Sequence, residues 1–424
     1  MRLVYEFLLI VGFLLYLPSA LWRRRLPHPG WSMRLGRYPE RVTSALRGRP
    51  SVWVHAVSVG EVLAVRPLVR ALAQQHSGEP LVLSTITPGG FEVASKQLGD
   101  CAVPVYFPLD VQACVARAIE TLRPRALLLV ESELWPAVIR LAHARGVPIA
   151  VVNGRVSPRT FRRSRLVKPW LHAMLGRVDR FLMQSEEDAA RIIELGAPRD
   201  RVQAVGSLKW DASLEAHPGP ELLQQLAGRL GLNGRQAVIV AGSTHRGEEV
   251  LLLEAFRTLR AAHPQARLIL APRHLERLAE VEELAQRVGM TPVRLSGQVP
   301  GEWAVGLVDT FGQLPRYYGL ASVVFIGGSL IPHGGQNPLE ASSLGKPVVF
   351  GPSMHNFEAI AHELLAHRVA CQVASGRELA TLLDQLIANA PDAQAMGRRA
   401  EELVQRHRGA TQRTLDALPP LFTR

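Results

Sequence analysis

From residue 51 onward the chain alternates short, wholly apolar runs with longer segments of helical periodicity, and it does so twice. In the first pass the apolar runs are 51–57, 80–86, 126–130, 148–152 and 180–183, with helical stretches such as 60–74, 111–122 and 136–145 between them. A run that is apolar at every position reads as a strand buried on both faces. A helix between successive runs makes them parallel, in a sheet covered on both sides. Residues 212–222, ASLEAHPGPEL, interrupt the rhythm with small residues, Pro and Gly, and read as a linker. The pattern then restarts, with strands expected at 237–241, 267–271, 304–307, 323–327 and 347–350, helices at 247–262 and 274–288, and a helical tail at 392–418. A chain of 424 residues exceeds what one core serves. The expectation is α/β, with two successive parallel-sheet domains, 51–211 and 223–424, and a deep cleft between them.

Ahead of this lies different material. Residues 3–22 are almost wholly apolar, broken by Glu6 and by Pro18-Ser19, and Arg23, Arg24 and Arg25 follow at once. The run is just long enough to span a bilayer. A secretory signal carries its positive charge before the apolar run, not after it. Residues 1–50 are therefore expected to hold an uncleaved anchor, spanning once or lying in the interface, with the following domain on the cytoplasmic side. Residues 23–49 carry eight arginines and one acid, Glu40, and would attract anionic headgroups. The alternative is a buried helix hairpin with a solvated basic face. The net charge of +12 fits nucleic acid, an anionic membrane or a phosphorylated substrate. With no RNA-module signature and no basic stripe interleaved with aromatics, nucleic acid fits worst. Three scattered cysteines without a CxxC pair point to a reducing compartment and no zinc site. His55, His245, His274, His333 and His355 are dispersed and no DxD triplet occurs, so metal-independent chemistry is expected.

Candidate chemistry lies where strands end, because ligands of open parallel sheets bind at the carboxyl ends of the strands. His55-Ala-Val-Ser58-Val-Gly60-Glu61 is such a turn. Gly60 permits a close backbone approach, and Glu61 falls in a first helical turn, where the helix dipole favours a carboxylate. On its own Glu61 reads more readily as a helix-start residue than as a site residue. Glu131 and Glu133 follow a strand in VESELWP; Thr87-Pro-Gly-Gly90 and Asn153-Gly-Arg-Val-Ser157 are similar turns, and Lys209, in GSLKWD, is one of only four lysines. The second half has three more. Gly242-Ser243-Thr244 opens onto His245-Arg-Gly-Glu-Glu249, whose backbone N–H groups would make an anion site at a helix start. Pro272-Arg273 ends another strand, where the guanidinium can meet phosphate. Gly327-Gly328 begins a glycine-dense loop running to Asn337-Pro338-Leu339-Glu340, with Asn337 as expected N-cap, Pro338 first in the helix and Glu340 at the capping-box position. Three such turns in one domain favour a phosphate-bearing nucleotide, although none fits a Walker or dinucleotide spacing.

Taken together and in order, HAVSVGE, STITPGG, ESELWP, NGRVS, GSLKWD, AGSTHRGEE, APRH and GGSLIPHGGQNPLEA resemble the 3-deoxy-D-manno-octulosonic acid (Kdo) transferases of Gram-negative bacteria. The resemblance runs from the apolar segment to the last helix. It implies a GT-B fold, two Rossmann-like domains facing a central cleft, with residues 51–211 binding the acceptor and 223–424 binding CMP-Kdo. It implies inverting, metal-independent transfer of Kdo to the lipid A precursor (lipid IVA) in lipopolysaccharide biosynthesis, at the cytoplasmic face of the inner membrane. Matched residue by residue, Glu61 is the general base, and Glu131 and Lys209 stabilise the transition state. Pro272 and Arg273, then Phe311, Gly312 and Gln313, then Asn337, Pro338, Leu339 and Glu340 hold the nucleotide. Ser58, Gly60, Ser243, Thr244, Gly327 and Gly328 line the substrate turns. Arg246 stands where an acid is common and Gly154 where alanine is usual. The alternatives are a GT-B transferase or epimerase that uses a UDP-sugar, and a membrane-anchored protein that binds lipid A without catalysis.

Overall fold

The computed structural model describes residues 28–418 except Ser77 and Ala216. It divides the chain into two compact units, Met1–Ala212 with Gly409–Arg424, and Ser213–Arg408. Each is built on a seven-stranded parallel sheet. In the first, β1 (Ser51–His55), β2 (Leu81–Thr85), β3 (Val103–Tyr106), β4 (Pro124–Val130), β5 (Ile149–Gly154), β6 (Arg180–Met183) and β7 (Val202–Ala204) lie in the order β3-β2-β1-β4-β5-β6-β7. In the second, β8 (Val238–Thr244), β9 (Arg267–Pro272), β10 (Pro292–Arg294), β11 (Val305–Leu307), β12 (Val323–Ile326), β13 (Val348–Phe350) and β14 (Ala370–Gln372) lie in the order β10-β11-β9-β8-β12-β13-β14. The strand order reverses beside the first strand of each unit, β1 against β4 and β8 against β12. That reversal opens a crevice at the strands' carboxyl ends, the place where ligands of such sheets bind.

Period-two alternation fills both faces. In the first unit Trp53, Val82, Leu127, Leu129, Val151 and Phe181 join one core. Their neighbours Val52, Val54, Leu83, Leu128, Val130, Val152 and Leu182 join the opposite one. Every residue of β1, β2, β5, β8, β9 and β12 except Ser243 is buried, which is why these strands read as continuous apolar runs. The strands absent from the sequence reading are β3, β7, β10 and β14, each three or four residues long, at or near a sheet edge and only partly buried. β3 even carries Pro104, which an edge tolerates because no ladder bond is lost.

Three boundaries differ from the sequence reading. The apolar run 3–22 lies outside the described residues; among those described, no helix is long and apolar enough to cross a membrane. The described part of the basic segment is no separate module. Its short helices Trp31–Arg34 and Glu40–Leu46 bury Met33, Val42 and Leu46 in the first unit's core. Residues 212–222 are largely helical at both ends, Leu208–Leu214 and Pro220–Arg229. Finally, the tail splits. The helix Ala390–Arg406 stays in the second unit, whereas Ala410–Ala417 returns to the first and packs on Val59–Gln75. Apolar positions at Ala410, Leu415 and Leu418 join the core that also holds Val62, Val65 and Leu68.

Candidate active site

β1 delivers the chain into Ala56-Val57-Ser58, and the helix Val59–Gln75 begins with Ser58 as N-cap and Glu61 in its first turn. The Ser58 side chain caps no helical N–H. It donates instead to Glu61 Oε1 at 3.0 Å, while Glu61 Oε2 accepts from the Val57 N–H at 2.8 Å. Glu61 is thus a capping carboxylate and a site candidate at once. Burial, followed by the negative charge of Glu131, pushes its pKa up to about 7, against the lowering effect of the Val57 bond. A Cβ on Gly60 would meet nothing within 4 Å and its φ is not left-handed, so no packing inside the protein demands a glycine there.

Glu131 follows β4 with φ +59°, a left-handed conformation that is uncommon outside glycine. It forms an ion pair with Lys209 at 2.8 Å, both side chains mostly buried. Glu133, two residues on, is also held above the usual carboxylate range by burial. Lys209 stands in the first turn of Leu208–Leu214, whose start is fixed by fully buried Asn153: its Oδ1 accepts from Leu208 N–H at 3.0 Å. Asn153 itself has φ +53°. Two left-handed residues, each just past or within a central strand's end, therefore aim the Glu131–Lys209 pair. Ser58, Glu61, Glu131 and Lys209 are brought together; Gly154 ends β5, where a Cβ would meet the Met183 sulfur at 2.5 Å.

In the second unit the expected turns also converge. The Gly327 N–H donates to Gly242 O at 2.8 Å, and the Arg273 N–H to Thr244 O at 2.9 Å. A Cβ on Gly327 would lie 2.3 Å from Ser243 O, and one on Gly242 would lie 1.9 Å from the Tyr318 hydroxyl oxygen. These glycines serve close backbone packing. Ser243 has φ +54°, and Thr244 is fully buried. Pro272 closes β9 and Arg273 is half-buried.

The open anion site expected at 242–249 is not there. Fully buried Glu248 turns its own carboxylate onto the N–H groups of His245, at 2.7 Å, and Gly328. The helix Glu249–Ala262 thus has two carboxylates of its own at its start. Glu249, also fully buried, takes Arg277 at 2.8 and 3.3 Å. Arg246 points to Glu280 at 2.5 Å. Glu248, like Glu61, has its pKa raised by burial to about 7. Around it His245 stacks on His333 at 3.7 Å between ring centroids and meets Gln336 at 3.0 Å. Burial and neighbouring positive charges push His245 down to about 4.

The third turn differs by one position from the expected cap. Pro338, already helical, precedes the four-residue helix Leu339–Ser342, and Asn337 Oδ1 accepts from the Leu339 N–H at 3.1 Å. Glu340 accepts from Asn337 Nδ2 at 3.4 Å, and its charge adds to burial in raising the pKa of Tyr318. Phe311 is 58% exposed, Gly312 has φ +78°, and Gln313 starts Leu314–Leu320, which packs on Leu339–Ser342. Sequence reasoning missed Glu248, Tyr318 and Arg277. The one available signal was the Glu248-Glu249 doublet directly after a strand-end turn. Among the described residues no group of three or more His, Cys, Asp or Glu is placed to hold a metal ion.

Two seven-stranded parallel-sheet units, each with its candidate residues at the carboxyl ends of the strands, form an α/β fold of the GT-B type. Solved structures with this fold include the UDP-GlcNAc 2-epimerase of Neisseria meningitidis, TM-score 0.59 at 16% identity over 87% of this chain and 99% of that one. A glycosyltransferase from Rickettsia africae is as close, TM-score 0.59 at 12% identity over 89% and 99%. At such identities the likeness shows the fold alone. Sequence relatives go further. Residues 29–212 match the 3-Deoxy-D-manno-octulosonic-acid transferase (kdotransferase) family. The 3-deoxy-D-manno-octulosonic acid transferase of Bordetella pertussis is 35% identical over 94% of both chains, and that of Haemophilus influenzae 32% identical over 97% of this chain and 94% of its own. The chain belongs to the 3-deoxy-D-manno-octulosonic acid transferase family of glycosyltransferases.

Proposed function

We propose that this enzyme transfers Kdo from CMP-Kdo to a lipid A precursor, with Glu61 as the general base. The observation that carries the reading is a half-buried carboxylate with a pKa of about 7, set beside the Glu131–Lys209 ion pair at the switch point of the first sheet. At neutral pH such a group is partly ionised, yet basic enough to accept a proton from an attacking hydroxyl; general base catalysis is typically worth about 10²–10⁴-fold. In the proposed step the acceptor oxygen attacks C2 of Kdo from the face opposite the leaving group. Its proton passes to Glu61, and the C2–O bond to CMP breaks with its electron pair going to the phosphate, so the configuration inverts. Lys209, held on Glu131, supplies the positive charge near the reacting oxygens. Arg273 takes the phosphate charge. Glu340 and Asn337, with Phe311 and Gln313 on the adjoining helix start, hold the nucleoside. The step runs without a metal, so the proposal expects activity to survive chelation.

The acceptor places the enzyme at an anionic membrane, on the cytoplasmic face of the inner membrane. Supporting this, Leu166 is 85% and Val167 47% exposed within a segment carrying Arg159, Arg162, Arg163, Arg165 and Lys168. Apolar side chains flanked by cations suit a lipid headgroup layer. The apolar run 3–22, with the three arginines after it, supports an anchor. The test is mass spectrometry of the lipid product made by purified enzyme from CMP-Kdo and a bis-phosphorylated lipid A precursor, with EDTA present. A Kdo-bearing product and release of CMP are expected. Turnover of a UDP-sugar instead, or lipid binding without turnover, overturns the reading.

A further inference from the structure

The segment 205–212 holds Lys209 yet owns little structure of its own. β7 ends at Ala204, and the helix Leu208–Leu214 is only seven residues long. Its position is imposed by bonds from elsewhere. At its near end the Val205 N–H donates to Met183 O at 2.9 Å, and Asn153 holds Leu208 N–H. At its far end Asp211 spreads its two carboxylate oxygens over two backbone N–H groups, Gly409 at 2.8 Å and Thr411 at 2.6 Å. Both partners belong to the turn that opens Ala410–Ala417, some two hundred residues later in the chain. The same helix sends Arg413 back to Val205, its Nε donating to the carbonyl at 2.8 Å. Val205 and Asp211, on either side of Lys209, are thus tied to one element. That element rests on Val59–Gln75, the helix that carries Glu61, and Arg66 of that helix reaches Ala212 O at 3.4 Å.

We propose that Asp211 and Arg413 are positioning residues for Lys209, and that the chain's last helix, far from the site in sequence, is the brace that holds the Glu131–Lys209 pair against Glu61. The inference rests on the reading that Glu61 is the base. The geometry commits both carboxylate oxygens of Asp211 to backbone N–H groups at the start of the last helix. It also explains Gly206, whose φ of +90° carries the chain past the Arg413 guanidinium, with a built Cβ only 2.9 Å from Nη2.

The test is Asp211→Asn in the full chain, read by steady-state kinetics across pH. The amide keeps one acceptor and loses the second bond and the charge. The charged groups acting on Glu61 are Glu131 and Glu133, and Lys209 offsets Glu131. Displacing Lys209 leaves Glu131 uncompensated. The expected result is therefore a kcat lower by about 10- to 100-fold, the scale of a small misplacement in an active site. The KM for CMP-Kdo stays within about twofold, and the acid limb of the pH–rate profile moves to higher pH. A variant that is merely less stable loses amplitude without moving that limb. Should Asp211→Asn not fold, Arg413→Lys, at an exposed position, removes the Val205 bond and carries the same expectations on a smaller scale. An unmoved acid limb, an unchanged kcat, or a rise confined to KM overturns the proposal. Glu61→Gln run alongside separates the two layers: if that variant retains near wild-type kcat, the base assignment itself has failed.

Discussion

Glu61 and Glu248 occupy equivalent places, each a glutamate just past the first strand of its unit, each accepting from at least one backbone N–H, each with burial raising its pKa to about 7. Their surroundings differ. Glu61 is half-buried, has a hydroxyl partner in Ser58, and feels the charge of Glu131. Glu248 is fully buried and spends its carboxylate on His245 and Gly328, joining two turns of the second unit. A perturbed carboxylate is therefore no label for chemistry by itself. What would separate a base from a clamp is access to an incoming hydroxyl, and Glu61 is the more exposed of the two.

The largest expected effect breaks the comparison on the rate. Glu61→Gln keeps the Val57 N–H acceptor but cannot take a proton, so kcat falls by about 10²–10⁴-fold, while donor KM stays near wild type and thermal stability does not fall. A loss under tenfold removes Glu61 from the chemistry. Glu248→Ala has the opposite signature. Two buried N–H groups lose their acceptor, at about 1–3 kcal/mol each. Calorimetry should show a Tm lower by several degrees, and donor KM should rise more than kcat falls. If Tm is unchanged, Glu248 is no clamp.

The glycines sharpen the same contrast. A Cβ at 327 would lie 2.3 Å from the Ser243 carbonyl, so Gly327→Ala should cost about 1–3 kcal/mol, the range of overpacking. At Gly60 the space is open, and alanine in a helix is worth up to about 0.5–1 kcal/mol over glycine. Denaturation of Gly60→Ala should thus show equal or slightly greater stability. If the substrate approaches that open backbone, its activity drops nonetheless, by about tenfold, the effect of a modest misplacement. A Gly60→Ala enzyme with full activity would mean that nothing docks there.

Much of this was legible in the sequence, and the reasons for the rest are local. The central strands announced themselves because both faces are buried. The edge strands β3, β7, β10 and β14 did not, being short and half-solvated. Glu61, Glu131 and Lys209 were singled out from turns and motif order, but their coming together is a matter of long-range pairing. The left-handed φ at Glu131 and Asn153 leaves no mark on composition. The turn 242–249 misled in an instructive way. Small residues before a helix do free backbone N–H groups for an anion; the chain supplied that anion itself, as Glu248. The last helix was read as the end of the second domain because its amphipathic pattern says that it packs, not on what. Asp211, in GSLKWD, fixes where it goes.

The smallest effect is the most diagnostic, because it follows proton binding in two assays at once. A carboxyl whose folded pKa lies near 7, above the value of 4.5 for an unperturbed glutamate, binds its proton more tightly in the folded state. Between those values the folded protein holds more protons than the unfolded one, so stability falls as pH rises. The burden is absent below pH 4.5, grows through pH 5–7, and is complete above 7. Replacing either glutamate by glutamine removes its share. The Tm difference between Glu61→Gln and wild type should therefore climb from pH 5 to 7 and then level, and that of Glu248→Gln should do the same on top of any clamp loss. The rate assay tells them apart. Wild-type kcat/KM should fall below pH 7 as Glu61 takes up its proton, and Glu248→Gln should leave that limb where it is. A limb that moves with Glu248→Gln, and not with changes around Glu61, would exchange the roles of the two residues.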